Sequence, residues 1–168
     1  MKKRRAFTLV EILIVVVLLG ILAATIIPMV ANSTMSAKYS ALSLDLQMLR
    51  RYVLIYKAQH YEVAPGYPDG AVNQAPTEQA FLDQIMTASK SNGQTAPVGT
   101  VGFDRGPYLS KIPKNPISGK NTVQVLANGA NFPADGDDSH GWIYKASTSE
   151  VRADTSGTDR DGKRYYDY

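Results

Sequence analysis

Glu11 is the residue whose position most demands a chemical explanation. Residues 12–31 carry no charge and almost nothing polar beyond Thr25, and Glu11 stands at the threshold of that run, four residues past Phe7. A carboxylate at the edge of hydrocarbon costs on the order of a few kcal/mol and normally has a partner. Two readings follow from the residues alone: a carboxylate at headgroup level facing water, or an acid waiting for a cation supplied by another group.

A second set of acids lies far along the chain. Asp154, Asp159 and Asp161 surround Gly157 and Gly162. Oxygen donors on a flexible turn suit calcium, and Asp159-Arg160-Asp161-Gly162 has the look of a calcium-loop fragment. The distal bidentate Glu of an EF-hand is missing, which excludes that motif. A solvated Asp/Gly turn is the alternative. Asp135, Asp137 and Asp138 form a lesser cluster of the same kind. No motif requires a cofactor, and calcium is the one ion the residues nominate.

Other chemistry is thinly supported. His60 and His140 stand alone, with no second ligand at zinc spacing. There is no cysteine, so disulfides, thiolate metal sites and thiol nucleophiles are excluded. Neither a Gly-x-Ser-x-Gly elbow nor a His-Glu-x-x-His motif occurs. A membrane-anchored periplasmic enzyme is thus the remote alternative, and the chain is read as no enzyme.

The elements that must position Glu11 are clearer. An apolar run of about twenty residues, at ~1.5 Å per residue, matches a hydrocarbon core of roughly 30 Å. It is too long for the apolar core of a secretory signal peptide, although an ordinary signal anchor fits. Lys2, Lys3, Arg4 and Arg5 precede it and hold that end in the cytoplasm by the positive-inside rule. These four account for the basic charge: the whole chain has 18 basic and 15 acidic residues, and without them 14 face 15, a balance of −1. No basic stripe with interleaved aromatics remains, so nucleic acid is not an expected partner.

Beyond the apolar run, Tyr39, Leu42, Leu46, Leu49, Val53 and Tyr56 recur at steps of three and four, the signature of one buried helical face. The helix is expected over residues 7 to about 60, kinked or locally melted over 24–28 by Pro28 and loosened by Gly20, and ended by Pro65-Gly66-Tyr67-Pro68-Asp69-Gly70. Thr77 is placed to cap a short helix reaching about Ser91, with Phe81, Leu82, Ile85 and Met86 inward and Gly93 as its stop. Strands are expected over 122–127, 142–146 and 150–153, the last two joined by Ser147, Thr148 and Ser149. The fold class is α+β: a long N-terminal helix, membrane-spanning in its first half and amphipathic in its second, packed on a small antiparallel sheet. The tyrosines of the tail, Arg164-Tyr165-Tyr166-Asp167-Tyr168, read as a stacked aromatic edge of that sheet.

Residues 2–11, Lys-Lys-Arg-Arg-Ala-Phe-Thr-Leu-Val-Glu, resemble the processing site of type IV pilins and type II secretion pseudopilins. The resemblance implies cleavage by a prepilin peptidase between Ala6 and Phe7, N-methylation of the Phe7 amine, and retention of the apolar helix. Ala6 departs from the Gly usual before the cut. Gly20 and Pro28 match helix-loosening positions of the family, and Glu11 matches an acid thought to pair with the amine of a neighbouring subunit. The implied segments are a leader at 1–6, a transmembrane and assembly helix at 7–31, its amphipathic continuation at 32–62, and a globular periplasmic head at 63–168.

Tyr56-Lys57-Ala58-Gln59-His60, Gly106-Pro107-Tyr108-Leu109, Ile112-Pro113-Lys114-Asn115-Pro116, Gly141-Trp142-Ile143-Tyr144 and Glu150-Val151-Arg152-Ala153 are similar to segments of the major pseudopilins of type II secretion. That branch implies calcium held by aspartates of a C-terminal loop, although the spacing of Asp154, Asp159 and Asp161 does not reproduce that loop. It also implies a single-pass protein of the bacterial inner membrane, N-terminus cytoplasmic and head periplasmic, assembled into a periplasmic pseudopilus for protein export. The implied partners are further copies of the chain packed through their N-terminal helices, the prepilin peptidase, an inner-membrane assembly platform and minor pseudopilins. Subunits of a type IV pilus or a DNA-uptake filament share the leader and helix and stay open as alternatives.

Overall fold

Helix α1, Leu9–Gln59, carries two kinds of sequence in one element. The computed structural model describes residues 8–168, apart from the side chains of Pro28, Ala31 and Asn32. The chain divides into two units, Met1–Lys38 and Tyr39–Tyr168.

In the first unit the segment Leu9–Ile27 is long and apolar enough to cross a membrane, and every side chain described there is exposed. Its many Val and Ile residues are mediocre helix formers in water, but hydrocarbon leaves the backbone no partner other than itself. Hydroxyls follow the same rule: Thr25 Oγ1 donates to Leu22 O, Ser33 Oγ to Met29 O and Thr34 Oγ1 to Val30 O. The local melting expected over 24–28 is absent, because α1 is helical without interruption through Pro28. A proline removes one ladder bond, and flanking turns with hydroxyl donors of their own hold the rest.

In the second unit α1 turns its stripe inward: Leu42, Leu46, Leu49, Val53 and Tyr56 are buried. The helix ends at Gln59, close to the expected residue 60 and before the Pro65 segment is reached. Tyr61 and Glu62 take left-handed φ of 52° and 65°, and Glu62 N reaches back to Lys57 O. Helix α2, Glu78–Met86, is capped by Thr77, whose side chain accepts from Ala80 N, and it buries Phe81, Gln84 and Ile85. It stops well short of Ser91, because Ala88–Ser89 form strand β1 against β2, Thr95–Ala96, and Ser89 also pairs with Arg105. Gly93 is the turn of that hairpin, donating to Lys90 O, and not a helix stop.

Strands β3, Val123–Leu126, β4, Trp142–Lys145, and β5, Glu150–Ala153, form the main sheet in the order β3-β4-β5. The expected all-antiparallel sheet is corrected here. β3 runs parallel to β4, with Val123 opposite Trp142, and only β4–β5 is antiparallel. Residues 127–141 supply the long crossover that a parallel pair requires, and strand periodicity is blind to direction. As the central strand, β4 buries Trp142, Ile143 and Tyr144 in succession. Polar side chains tie the loops to this core: Gln84 bonds Gly66 N, Tyr67 O and Gly93 O, while Trp142 Nε1 donates to Pro113 O and Tyr144 OH to Pro65 O. The Arg50 guanidinium clasps Val151 O through Nε and Nη2, and Tyr168 O through Nη1. Tyr165 packs against Tyr39, and Tyr166 lies over Arg152.

Candidate functional site

The start of α1 is built by a reciprocal clasp. Thr8 is its N-cap: the Thr8 hydroxyl accepts from Glu11 N at 3.2 Å, while Glu11 Oε2 accepts from Thr8 N at 2.8 Å and Thr8 Oγ1 at 2.9 Å. This is a capping box, which satisfies orphan N–H groups of the first turn and sets a carboxylate against the positive end of the helix dipole. The sequence carries its signature in Thr8-Leu9-Val10-Glu11. Glu11 was expected from the sequence, and Thr8 was not. Ala6 and Phe7, the expected cleavage pair, lie outside the described residues. Gly20 sits within the apolar stretch of α1 with no other group close to where a side chain would project. Pro28 lies one turn beyond Thr25 on the same helix.

The acidic residues of the head serve as internal acceptors. Asp154, only 1% exposed, takes Asp137 N at 2.9 Å on Oδ1, and His140 N at 2.7 Å and Ser139 Oγ at 3.0 Å on Oδ2. Three donors on a buried carboxylate are what make its burial tolerable. Asp137 in turn accepts from Ser139, whose hydroxyl and N–H hold its carboxyl below the usual range. Asp159 accepts from Asp161 N and Lys163 N, both at 2.9 Å, and from the Tyr168 hydroxyl. The Tyr168 bond lowers the Asp159 pKa and pushes the Tyr168 phenol up to about 12. The three nominated aspartates are therefore not brought to one point. Asp154 organises residues 137–140, Asp159 organises 161–163, and Asp161 contributes its backbone N–H. Among the described residues no three His, Cys, Asp or Glu side chains are grouped as a metal ion would need.

Two serine–histidine contacts emerge that the sequence did not show. His140 Nδ1 lies 2.8 Å from Ser139 Oγ and 3.7 Å from Asp154 Oδ2. A nucleophilic relay needs serine and carboxylate on opposite ring nitrogens, and here both approach the same one. His60 Nε2 meets Ser89 Oγ at 2.9 Å, but Nδ1 faces the Tyr56 carbonyl at 2.7 Å, the ring stacks on Tyr56, and Ser89 has no exposed surface. Nδ1 can only donate to a carbonyl, and with both ring nitrogens engaged inside the core His60 is a structural histidine. Burial lowers its pKa, with the Tyr56 carbonyl opposing that effect. Neither constellation has the geometry of a triad.

Residues 1–27 match the prokaryotic N-terminal methylation motif. The chain is 28% identical over 134 residues to the type II secretion system core protein G of Pseudomonas aeruginosa, covering 80% of this chain and 81% of that protein. It is 30% identical over 132 residues to the protein of the same name from Aeromonas hydrophila, covering 77% and 78%. With that of Klebsiella pneumoniae it shares 24% over 135 residues, covering 80% and 83%. No solved structure shows a significant match to the chain.

Proposed function

The chain belongs to the family of type II secretion system core protein G, and from that premise we propose how it is matured and assembled. It is a pseudopilin of protein secretion that carries the prepilin methylation motif on an apolar N-terminal helix. Cleavage between Ala6 and Phe7 removes the four basic residues, and methylation of the new amine leaves a cation at Phe7. Before assembly the subunit rests in the inner membrane as a single pass, N-terminus toward the cytoplasm as the basic leader dictates and head in the periplasm. Its role is structural: a repeating unit of a pseudopilus that works with the prepilin peptidase, an assembly platform and minor pseudopilins, with no catalytic step of its own.

The observation that carries this reading is the Thr8–Glu11 clasp at the head of an exposed apolar helix. In the single subunit Glu11 is stabilised from within its own chain, so insertion does not strand a naked carboxylate. On assembly a neighbouring Phe7 amine takes up the Glu11 carboxylate. Two charges that would each be costly in hydrocarbon are then buried as a pair, and the pairing fixes the axial register between helices. Gly20 and Pro28 give the helix the freedom to settle against its neighbours.

Glu11→Gln tests the pairing. Its amide oxygen still accepts from Thr8 N, so membrane insertion and head stability stay at wild-type levels. Assembly loses an ion pair, and at about 1.4 kcal/mol per decade the filament yield falls by about tenfold or more. Sheared filaments quantified against membrane-embedded subunit give the ratio, and a wild-type ratio overturns the pairing role.

A further inference from the structure

Resemblance to the major pseudopilins implies calcium in the C-terminal loops, and the donor set here does not suit it. Calcium wants six to eight oxygens at about 2.3–2.6 Å with their lone pairs turned inward. The carboxylates of Asp154 and Asp159 have theirs turned onto backbone N–H groups of their own loops. Asp138 likewise accepts from Ser156 N and Oγ. Two carbonyls do converge, those of Asp138 and Ser139, and there the chain supplies its own cation: Lys120 Nζ donates to Asp138 O at 2.7 Å and to Ser139 O at 3.1 Å. A second cation bound to those carbonyls would lie against the ammonium and be repelled.

The backbone that carries Lys120 is anchored, while its ammonium reaches the two carbonyls from the solvent side. The Lys120 carbonyl accepts from Asn115 N at 2.8 Å, and a side chain at Gly141 would collide with that same carbonyl. Asn115 is fully buried and braces the neighbourhood, donating to Gly141 O at 2.9 Å and to Thr155 Oγ1 at 2.6 Å while accepting from Ile117 N and Ser118 N. Gly136, on the other flank, lies so close to the Thr155 backbone that no side chain fits between them. The loop over residues 136–141 is thus gripped from inside by the Asp154 carboxylate and from outside by the Lys120 ammonium. We propose that this grip replaces a bound ion, so that the head of this pseudopilin folds and persists without calcium.

The test uses the full chain in detergent micelles. Its thermal midpoint, followed by near-ultraviolet circular dichroism, is expected to agree within about 1 °C in millimolar calcium and in excess chelator, because a ligand of the native state stabilises by mass action and an absent one does not. A midpoint raised by about 3 °C or more in calcium overturns the proposal. Lys120→Met is expected to lower the midpoint by about 2–4 °C and to speed amide exchange at Ser139, His140 and Gly141 in chelator. Wild-type midpoint and exchange in that variant overturn the role of the ammonium. Should the variant fail to fold, the calcium comparison on the wild-type chain still decides the proposal.

Discussion

The two units of this chain answer the same question, where each apolar and polar group finds its partner, in opposite ways. From Tyr39 onward most answers are internal: Trp142 and Tyr144 are wholly buried, Asp154 collects three donors, and Gln84 closes three loop contacts, while Leu44, Leu54 and Val101 stay exposed and the buried Tyr56 hydroxyl finds no acceptor. Among the described residues up to Lys38, polar groups are answered from within, by the Thr8–Glu11 clasp and the hydroxyls of Thr25, Ser33 and Thr34. The apolar side chains are not. Leu9 is 82% exposed and Ile14 53%. Such a surface is stable only in lipid or against other apolar helices, so the first unit needs a covering from outside while the head carries a core of its own.

Substitutions should respect that division. Trp142→Ala opens the head core and is expected to cost about 3–5 kcal/mol, read by chemical denaturation, while membrane insertion is untouched. Failure to insert would mean that the head helps build the first unit. A smaller effect comes from pH. His60 is buried with its pKa lowered, so the unfolded chain binds a proton more readily than the folded one below the ordinary value of 6.5. Stability is then full above that value and is lost as pH falls toward the folded-state pKa, at up to about 1.4 kcal/mol per pH unit. His60→Gln should flatten this limb of the stability curve, and an unchanged limb would assign it to another group. The smallest effect belongs to Thr8→Ala, which removes the cap and is expected to cost about 0.5–2 kcal/mol of local helix stability. Amide exchange should show it in the first turn of α1 alone, with the head midpoint unmoved; a shifted midpoint would couple the two units.

What could be read from sequence followed from periodicity. Leu42 through Tyr56 announced their face because a helix repeats every 3.6 residues, and 150–153 was found to the residue because its neighbours are turn formers. What escaped depended on partners distant in sequence. The truncation of α2 depends on Ser89 finding Arg105, and the direction of β3 on how the crossover travels. Asp154 looked like a surface ligand because an acid near glycines usually is one, and its burial is visible only once residues 137–140 fold over it. Thr8 was legible in the spacing Thr8-Leu9-Val10-Glu11, where the acid is the third residue of the helix and can reach back to the cap.

The Arg50 clasp has a mechanical meaning. A filament that grows against a load transmits force along its helices, and in the head that force must leave α1 for the sheet. Apolar packing along the stripe resists separation but little resists sliding. The guanidinium, planar and anchored at once to Val151 O on β5 and Tyr168 O in the tail, acts as a rivet across the sliding plane. One side chain thus ties helix, sheet and tail together at a single point.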